Sequence, residues 1–188
     1  MTFAPYNFRI GGNVARRTWR GDITVVVRHE ANALVDGPLG PIALCATDAG
    51  ISSLTFVDTG EVIDMVRRAG RAETHLARAV AQLDDYFAGR SREFDVDLDL
   101  VGTPFQLDAW EALRRIPYGQ TISYKAQALS MNRPTATRAV GAANGRNPVP
   151  IIVPCHRVIG ADGSLTGFSA GIERKIWLLD HEARHAES

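Results

Sequence analysis

No stretch of this chain is more constrained than Asn147-Pro148-Val149-Pro150-Ile151-Ile152-Val153-Pro154-Cys155-His156-Arg157-Val158. Prolines at 148, 150 and 154 each remove a backbone donor and fix φ, so the segment is no mid-sheet strand. The sequence predicts a stiff, largely extended strut. Its apolar middle asks for burial, and burying it plants Cys155 at a defined place. Cysteine reacts as the thiolate, and an unperturbed pKa of about 8.5 leaves only a few per cent ionised near neutral pH. His156 and Arg157 alongside are expected to raise that fraction. Adjacent side chains of an extended chain point opposite ways, so Cys155 and His156 need a bend or a bridging water to communicate. As a bare pair they read as a buried structural cysteine beside a surface histidine.

The 188 residues suffice for one domain or for two small lobes sharing a core. β-like runs come first: Ile23-Thr24-Val25-Val26-Val27, then Ile42 to Ala46 after the turn signal Gly37-Pro38-Leu39-Gly40-Pro41, then Ile51 to Phe56. A small antiparallel sheet follows from them. Leu76, Ala79, Val80, Leu83 and Phe87 recur at helical spacing, and Gly89 stops that helix. Phe94 to Leu100 alternates strictly with aspartates, as a half-buried or edge strand would.

Near Gly102 the pattern becomes helical. Thr103 and Pro104 open a helix to about Ile116 that buries Phe105, Ala109, Trp110 and Leu113. Ser123 caps a second, Tyr124 to Ser130, and a third runs from about Thr135 to Asn144, the pair fitting a helix-turn-helix. A Gly-rich loop from Gly160 to Gly171 precedes a last helix, about Ile172 to His185. The fold class expected is α+β, with an N-terminal extension (1–22), a sheet-and-helix lobe (23–101) and a helical lobe (102–188).

Formal net charge is zero, but the distribution is uneven: residues 101–176 carry nine basic side chains against four acidic, and residues 1–100 carry 11 against 14. A basic lobe suits a polyanion, although a solvated mixed-charge surface gives the same pattern. No run approaches the roughly 20 apolar residues of a membrane span, and the N-terminus lacks a signal-peptide core, so a reducing cytoplasm with Cys45 and Cys155 as free thiols is expected. His29, Cys45 and His75 lack zinc-ligand spacing, and no glycine-rich stretch carries a P-loop lysine; neither metal nor cofactor is expected.

Several strings together resemble one family. Ile116-Pro117-Tyr118-Gly119 with Ser123-Tyr124, Arg138-Ala139-Val140-Gly141, Asn147-Pro148, Pro154-Cys155-His156-Arg157-Val158-Ile159 and Trp177-Leu178-Leu179-Asp180-His181-Glu182 occur in order. They resemble the signatures of the methylated-DNA–protein-cysteine methyltransferases, continuously from about Phe105 to Glu182. A weaker likeness from about Pro38 to Leu100 implies a ribonuclease-H-like N-terminal lobe.

The resemblance implies a suicide reaction in which Cys155 takes the alkyl group of O6-alkylguanine, or of O4-alkylthymine. His156 would act through a water, Glu182 would orient it, and Asn147 would tie the helix-turn-helix to the active-site segment. Tyr124 would help rotate the nucleotide and donate toward guanine N3. Arg138 would enter the base stack as a finger from a helix of small residues, whose Gly141 costs about 1 kcal/mol relative to Ala; without the resemblance, that face reads as helix–helix packing. Ala139, Gly141, Arg146, Ser123 and Thr135 would join Arg138 and Tyr124 on the DNA, with Val158, Ser169, Ala170 and Met131 around the substrate. Ala170 stands where the family has glycine, which puts bulky adducts in doubt, and Met131-Asn132-Arg133-Pro134 is an unusual inter-helix turn. The partner implied is double-stranded DNA carrying alkylated bases, met by a monomer able to cluster on DNA. Two other readings compete: a lesion sensor or helix-turn-helix regulator, which needs no Cys155, and a Cys-His hydrolase, for which no oxyanion hole is visible.

Overall fold

The computed structural model describes residues 15–19, 23–27, 30–57 and 70–186. Strands β1 (Ala15–Trp19) and β2 (Ile23–Val27) pair antiparallel in a sheet of their own. The β-branched run at Ile23 is therefore a strand, but it pairs with the segment expected to be extension and not with the main sheet.

The main sheet is the antiparallel meander β3 (Ala31–Gly37), β4 (Gly40–Thr47) and β5 (Gly50–Phe56). Pro38-Leu39 closes its first hairpin and Asp48-Ala49 its second. Asp48 also reaches the next element: its Oδ1 accepts from Ala72 N at 3.1 Å, satisfying an amide at the start of α1 (Arg71–Phe87), where Gly70 offers no side-chain cap. Ala72, Leu76, Ala79, Leu83 and Tyr86 form the buried stripe of α1, and the chain leaves the helix through Gly89 at φ 69°. Fully buried Ile42, Leu44 and Leu83 contribute about 1.5–3 kcal/mol each.

The outer edge of β5 carries two attachments. Ile51 N donates to Asp97 O at 2.8 Å and Leu54 N to Pro148 O at 2.9 Å. Backbone groups alternate edges along a regular strand, so residues three apart face opposite sides. A bulge opposite Cys45/Ala46 inserts Ser52 and resets that alternation, which lets Ile51 and Leu54 serve the same edge. Gly50 makes the first attachment sterically feasible, because a Cβ there would lie 2.5 Å from Asp97 O. The acidic segment 94–100 is accordingly not a strand but an extended chain with one bridge, Ile51 to Leu98.

Helix α2 (Pro104–Arg114) opens with a reciprocal cap: Gln106 N donates to Thr103 Oγ1 and Thr103 N to Gln106 Oε1. That duty turns Gln106 inward, and Phe105, expected in the core, is only half-buried. Strand β6 (Ile122–Ser123) leads into α3 (Tyr124–Ser130), and α4 (Thr137–Asn144) starts two residues later than expected, after an uncapped Ala136. The turn between them is regular after all. Asn132 takes the left-handed position (φ 56°), and Asn132 N and Arg133 N return to Leu129 O and Ala128 O at 2.9 Å. Buried amides lock the unit: Gln127 and Asn144 exchange bonds of 3.2 and 2.7 Å, Gln127 Nε2 reaches Ala109 O, and Trp110 Nε1 reaches Ala143 O.

The proline segment is folded rather than extended. Val153 N donates to Val149 O at 2.9 Å, and Ile151, buried, sits at φ 75°. Prolines on both sides leave few backbone options, and the core takes the Ile151 side chain at a conformational cost of about 1–3 kcal/mol. After a single 3-10 turn (Cys155–Arg157), strand β7 (Val158–Ile159) pairs parallel with β6, and α5 (Ile172–Ala186) closes the chain. Val149, Ile151 and Val153 share one core with Leu44, Leu83, Tyr86 and Trp110. No described helix is long and apolar enough to cross a membrane.

Candidate active site

Cys155 opens the 3-10 turn, and that turn supplies the bend the sequence required between Cys155 and His156. Asn147 braces the turn ahead of it. Its Nδ2 donates to Val153 O at 2.7 Å and to Cys155 Sγ at 3.1 Å, and its Oδ1 accepts from Val149 N at 3.0 Å. Its backbone N–H also returns to Asn144 O at 3.1 Å, so one residue joins α4 to the segment carrying the sulfur.

Cys155 is buried, with 4% of the residue exposed. Burial pushes the Cys155 thiol up to about 11, against the Asn147 hydrogen bond and the charge of Lys175. At neutral pH the resting sulfur is a thiol. The sequence expected Arg157 to favour the thiolate, but Arg157 turns to Glu182 instead, because the 3-10 turn places it on the side of α5.

Glu182 on α5 is fully buried and accepts five hydrogen bonds. Oε1 takes His156 Nε2 at 2.8 Å, Tyr86 Oη at 2.9 Å and Arg157 Nη2 at 2.9 Å; Oε2 takes Arg157 Nε at 2.9 Å and Gly119 N at 3.0 Å. Gly119 offers its amide from a left-handed turn (φ 72°), and a Cβ there would press on Ala186. Burial alone would raise the Glu182 carboxyl, but the bonds from His156 and Arg157 override it and hold the pKa at about 2. Arg157 Nη1 is satisfied by Ile116 O at 2.6 Å.

An ionised Glu182 can only accept, which assigns the proton of neutral His156 to Nε2. Burial lowers the His156 pKa despite the pull of Glu182, keeping the ring neutral near pH 7. His156 Nδ1 has no hydrogen-bond partner among the described residues, so its lone pair is available to accept a proton.

The remaining sequence-derived residues divide into groups. Tyr124, half-buried at the start of α3, donates to Thr166 O at 2.8 Å, with Gly167 against its hydroxyl. Gly141 lies beside the Tyr124 ring, where a Cβ would make an ordinary 3.8 Å contact, so Tyr124 does not demand the glycine. Arg138, Ala139, Ala142, Arg146 and Thr135 are exposed, and the Arg138 guanidinium has no partner among the described residues. Arg146 folds back to Ala142 O at 3.1 Å, and Ser123 Oγ caps α3 through Ala126 N at 3.1 Å. Val158 is buried and its carbonyl accepts from Lys175 Nζ at 2.6 Å. Ser169 is exposed and Ala170 half-buried in the turn before α5. Met131, expected beside the substrate, instead lines a cleft with Leu98, Leu100, Leu107 and Glu111. It lies just past the C-terminal end of α3, whereas Tyr124 begins that helix.

Sequence reasoning missed Lys175 and Tyr86. Lys175 is fully buried, its Nζ bridging Val158 O and Thr166 O (2.8 Å). Its spacing from Leu178 and Glu182 on α5 was the available signal, masked by its charge. Among the described residues no three of His, Cys, Asp and Glu converge as metal ligands; His29 lies outside them.

A helix-turn-helix frame carrying a cysteine backed by a His–Glu pair is the class that fold and site define. The 6-O-methylguanine DNA methyltransferase DNA binding domain matches residues 104–184, and the ribonuclease-like domain of the same family matches residues 32–100. A methylated-DNA–protein-cysteine methyltransferase of Mycolicibacterium paratuberculosis is 49% identical over 155 residues, covering 81% of this chain and 92% of the relative. One from Methanosarcina barkeri is 43% identical, covering 79% and 94%. The crystal structure of Mycobacterium tuberculosis OGT in complex with DNA superimposes with a TM-score of 0.72 at 45% identity, covering 81% of this chain and 92% of that one. The chain belongs to the methylated-DNA–protein-cysteine methyltransferase family.

Proposed function

We propose that this chain repairs alkylated DNA by moving the alkyl group of O6-alkylguanine, and of O4-alkylthymine, onto Cys155, once per molecule. The single observation that carries the reading is the Cys155–His156 step on one 3-10 turn, with Asn147 on the sulfur and Glu182 on the far nitrogen of the imidazole.

Because the resting sulfur is a thiol, the proton leaves during the reaction. His156 Nδ1 takes it through a water, and Glu182 balances the imidazolium. The Asn147 amide stabilises the sulfur as charge develops on it. The Sγ–C bond forms as the C–O6 bond breaks, and Tyr124 Oη protonates guanine N3 so that guanine departs neutral. The thiol proton then returns from His156 to Tyr124, leaving guanine and a thioether. A thioether is not a leaving group, which limits each molecule to one turnover.

Access requires the lesion to leave the helix. Small residues on α4 let it approach the minor groove, about 6 Å wide, and Arg138 fills the vacated stack while phosphate contacts supply sequence-independent affinity. Tyr124 must exchange Thr166 O for the incoming base, so the loop 160–171 shifts as the nucleotide enters.

The test mixes the protein with duplex DNA carrying one O6-methylguanine and weighs its peptides. One methyl per protein on the Cys155 peptide, absent in Cys155→Ala, is expected. Turnover beyond one equivalent, or modification elsewhere, overturns the reading. Tight lesion binding with Cys155 unmodified would make the chain a sensor instead.

A further inference from the structure

We infer that Tyr86, on α1 of the N-terminal lobe, is a positioning residue for alkyl transfer: its hydroxyl shares Glu182 Oε1 with His156 and so limits how strongly the carboxylate holds a proton on that imidazole. This rests on the proposed role of His156 as the base.

Geometry sets the competition. A carboxylate offers about four lone-pair sites, two on each oxygen. Oε1 nonetheless receives three donors, from Tyr86, His156 and Arg157, and Oε2 receives two. Each donor on Oε1 withdraws density from the others. Tyr86 is also held more firmly than a core tyrosine needs. Its backbone carbonyl accepts from His181 Nε2 at 2.8 Å while its hydroxyl reaches Glu182, so it grips two successive residues of α5. The ring is fully buried, with Phe87, Phe94, Tyr118 and His181 centred 5.2–6.0 Å away. A buried tyrosine hydroxyl generally finds some acceptor; this one has chosen the oxygen that orients the base.

The other charged or titratable groups around the pair are Arg157 from the 3-10 turn, Tyr118 from the segment after α2, and Lys175 and His181 from α5. None of them is altered in Tyr86→Phe, which keeps the ring and deletes one donor. Oε1 then binds His156 more strongly and stabilises the imidazolium. A proton is harder to remove from that ring, so His156 stays protonated to higher pH and is a base over a narrower range.

The experiment follows single-turnover methyl transfer from an O6-methylguanine duplex between about pH 5 and 9. Tyr86→Phe should move the acid limb upward by roughly one pH unit, with the high-pH plateau little changed. Phe94→Leu, which loosens the same aromatic cluster without touching Glu182, should lower the melting temperature and leave the limb in place. Unchanged limbs in Tyr86→Phe, or an equal shift in Phe94→Leu, overturn the inference. NMR titration of the His156 ring without DNA reads the same shift independently. Should wild type transfer no methyl, the functional reading fails while the titration still decides whether Tyr86 tunes His156.

Discussion

Two arginines show how differently this molecule treats its cations. Arg157 is buried and fully engaged, with two bonds to Glu182 and one to Ile116 O. Arg138 is exposed on α4 and has no partner among the described residues. The region around Glu182 is complete in the protein alone, and its carboxylate is saturated by donors. The α4 face is incomplete, a long cation among small side chains. On the proposed function, chemistry that must avoid reorganisation is built in advance, whereas the α4 face is left for the DNA to finish.

That contrast can be broken from its buried side first. Glu182→Gln leaves Arg157 buried without its counter-charge, so stability should fall by about 3–5 kcal/mol in denaturant titrations. Methyl transfer should slow by about 100-fold or more, since His156 loses its orienter. The wild type also carries a pH signature. Because folding depresses the Glu182 pKa from 4.5 to about 2, its contribution is complete above 4.5 and is lost as pH falls toward 2. Unfolding between those limits should steepen in wild type relative to Glu182→Gln, and equal slopes would show that the carboxylate is not paired in this way.

Arg138→Ala tests the exposed side. Transfer from duplex DNA should fall by about tenfold or more while the denaturation midpoint stays within ~0.5 kcal/mol of wild type. The loss should be smaller on a single-stranded oligonucleotide, where no base need be replaced; equal losses on both would remove the finger role. The smallest effect is local. Ser123→Ala deletes the α3 cap and should cost about 1 kcal/mol by thermal melting, with modest loss of transfer. A larger drop in transfer than in stability would indicate that Ser123 touches the DNA as well as capping α3.

Much of the site was legible because its residues are close in sequence or carried by an ordered set of motifs. Ser123, Tyr124 and Ser130 bound α3 as read, and Cys155, His156 and Asn147 lie within one segment. What failed needed long-range information. Periodicity gave the buried stripe as Leu76, Ala79, Val80, Leu83 and Phe87 and passed over Tyr86, whose hydroxyl meets Glu182 across the molecule. Arg157 looked like a partner for its neighbour Cys155, and only the 3-10 turn sends it to α5. Proline chemistry ruled out a central strand for 148–154 but suggested an extended strut, whereas the folded turn with its left-handed Ile151 depends on the core that receives it. Phe94 to Leu100 kept its alternation without becoming a strand, because only Leu98 finds a bridging partner.

The bulge at Ser52 gives the N-terminal sheet an unexpected hold on Cys155. Were β5 to pair regularly through Ser52 with every residue kept, Leu54, three positions on from Ile51, would present its amide to the opposite edge. Pro148 would lose its splint just upstream of Asn147's braced turn, and the sulfur's position would no longer be indexed to the sheet. Strand registry in one lobe is thus a ruler for reactivity in the other.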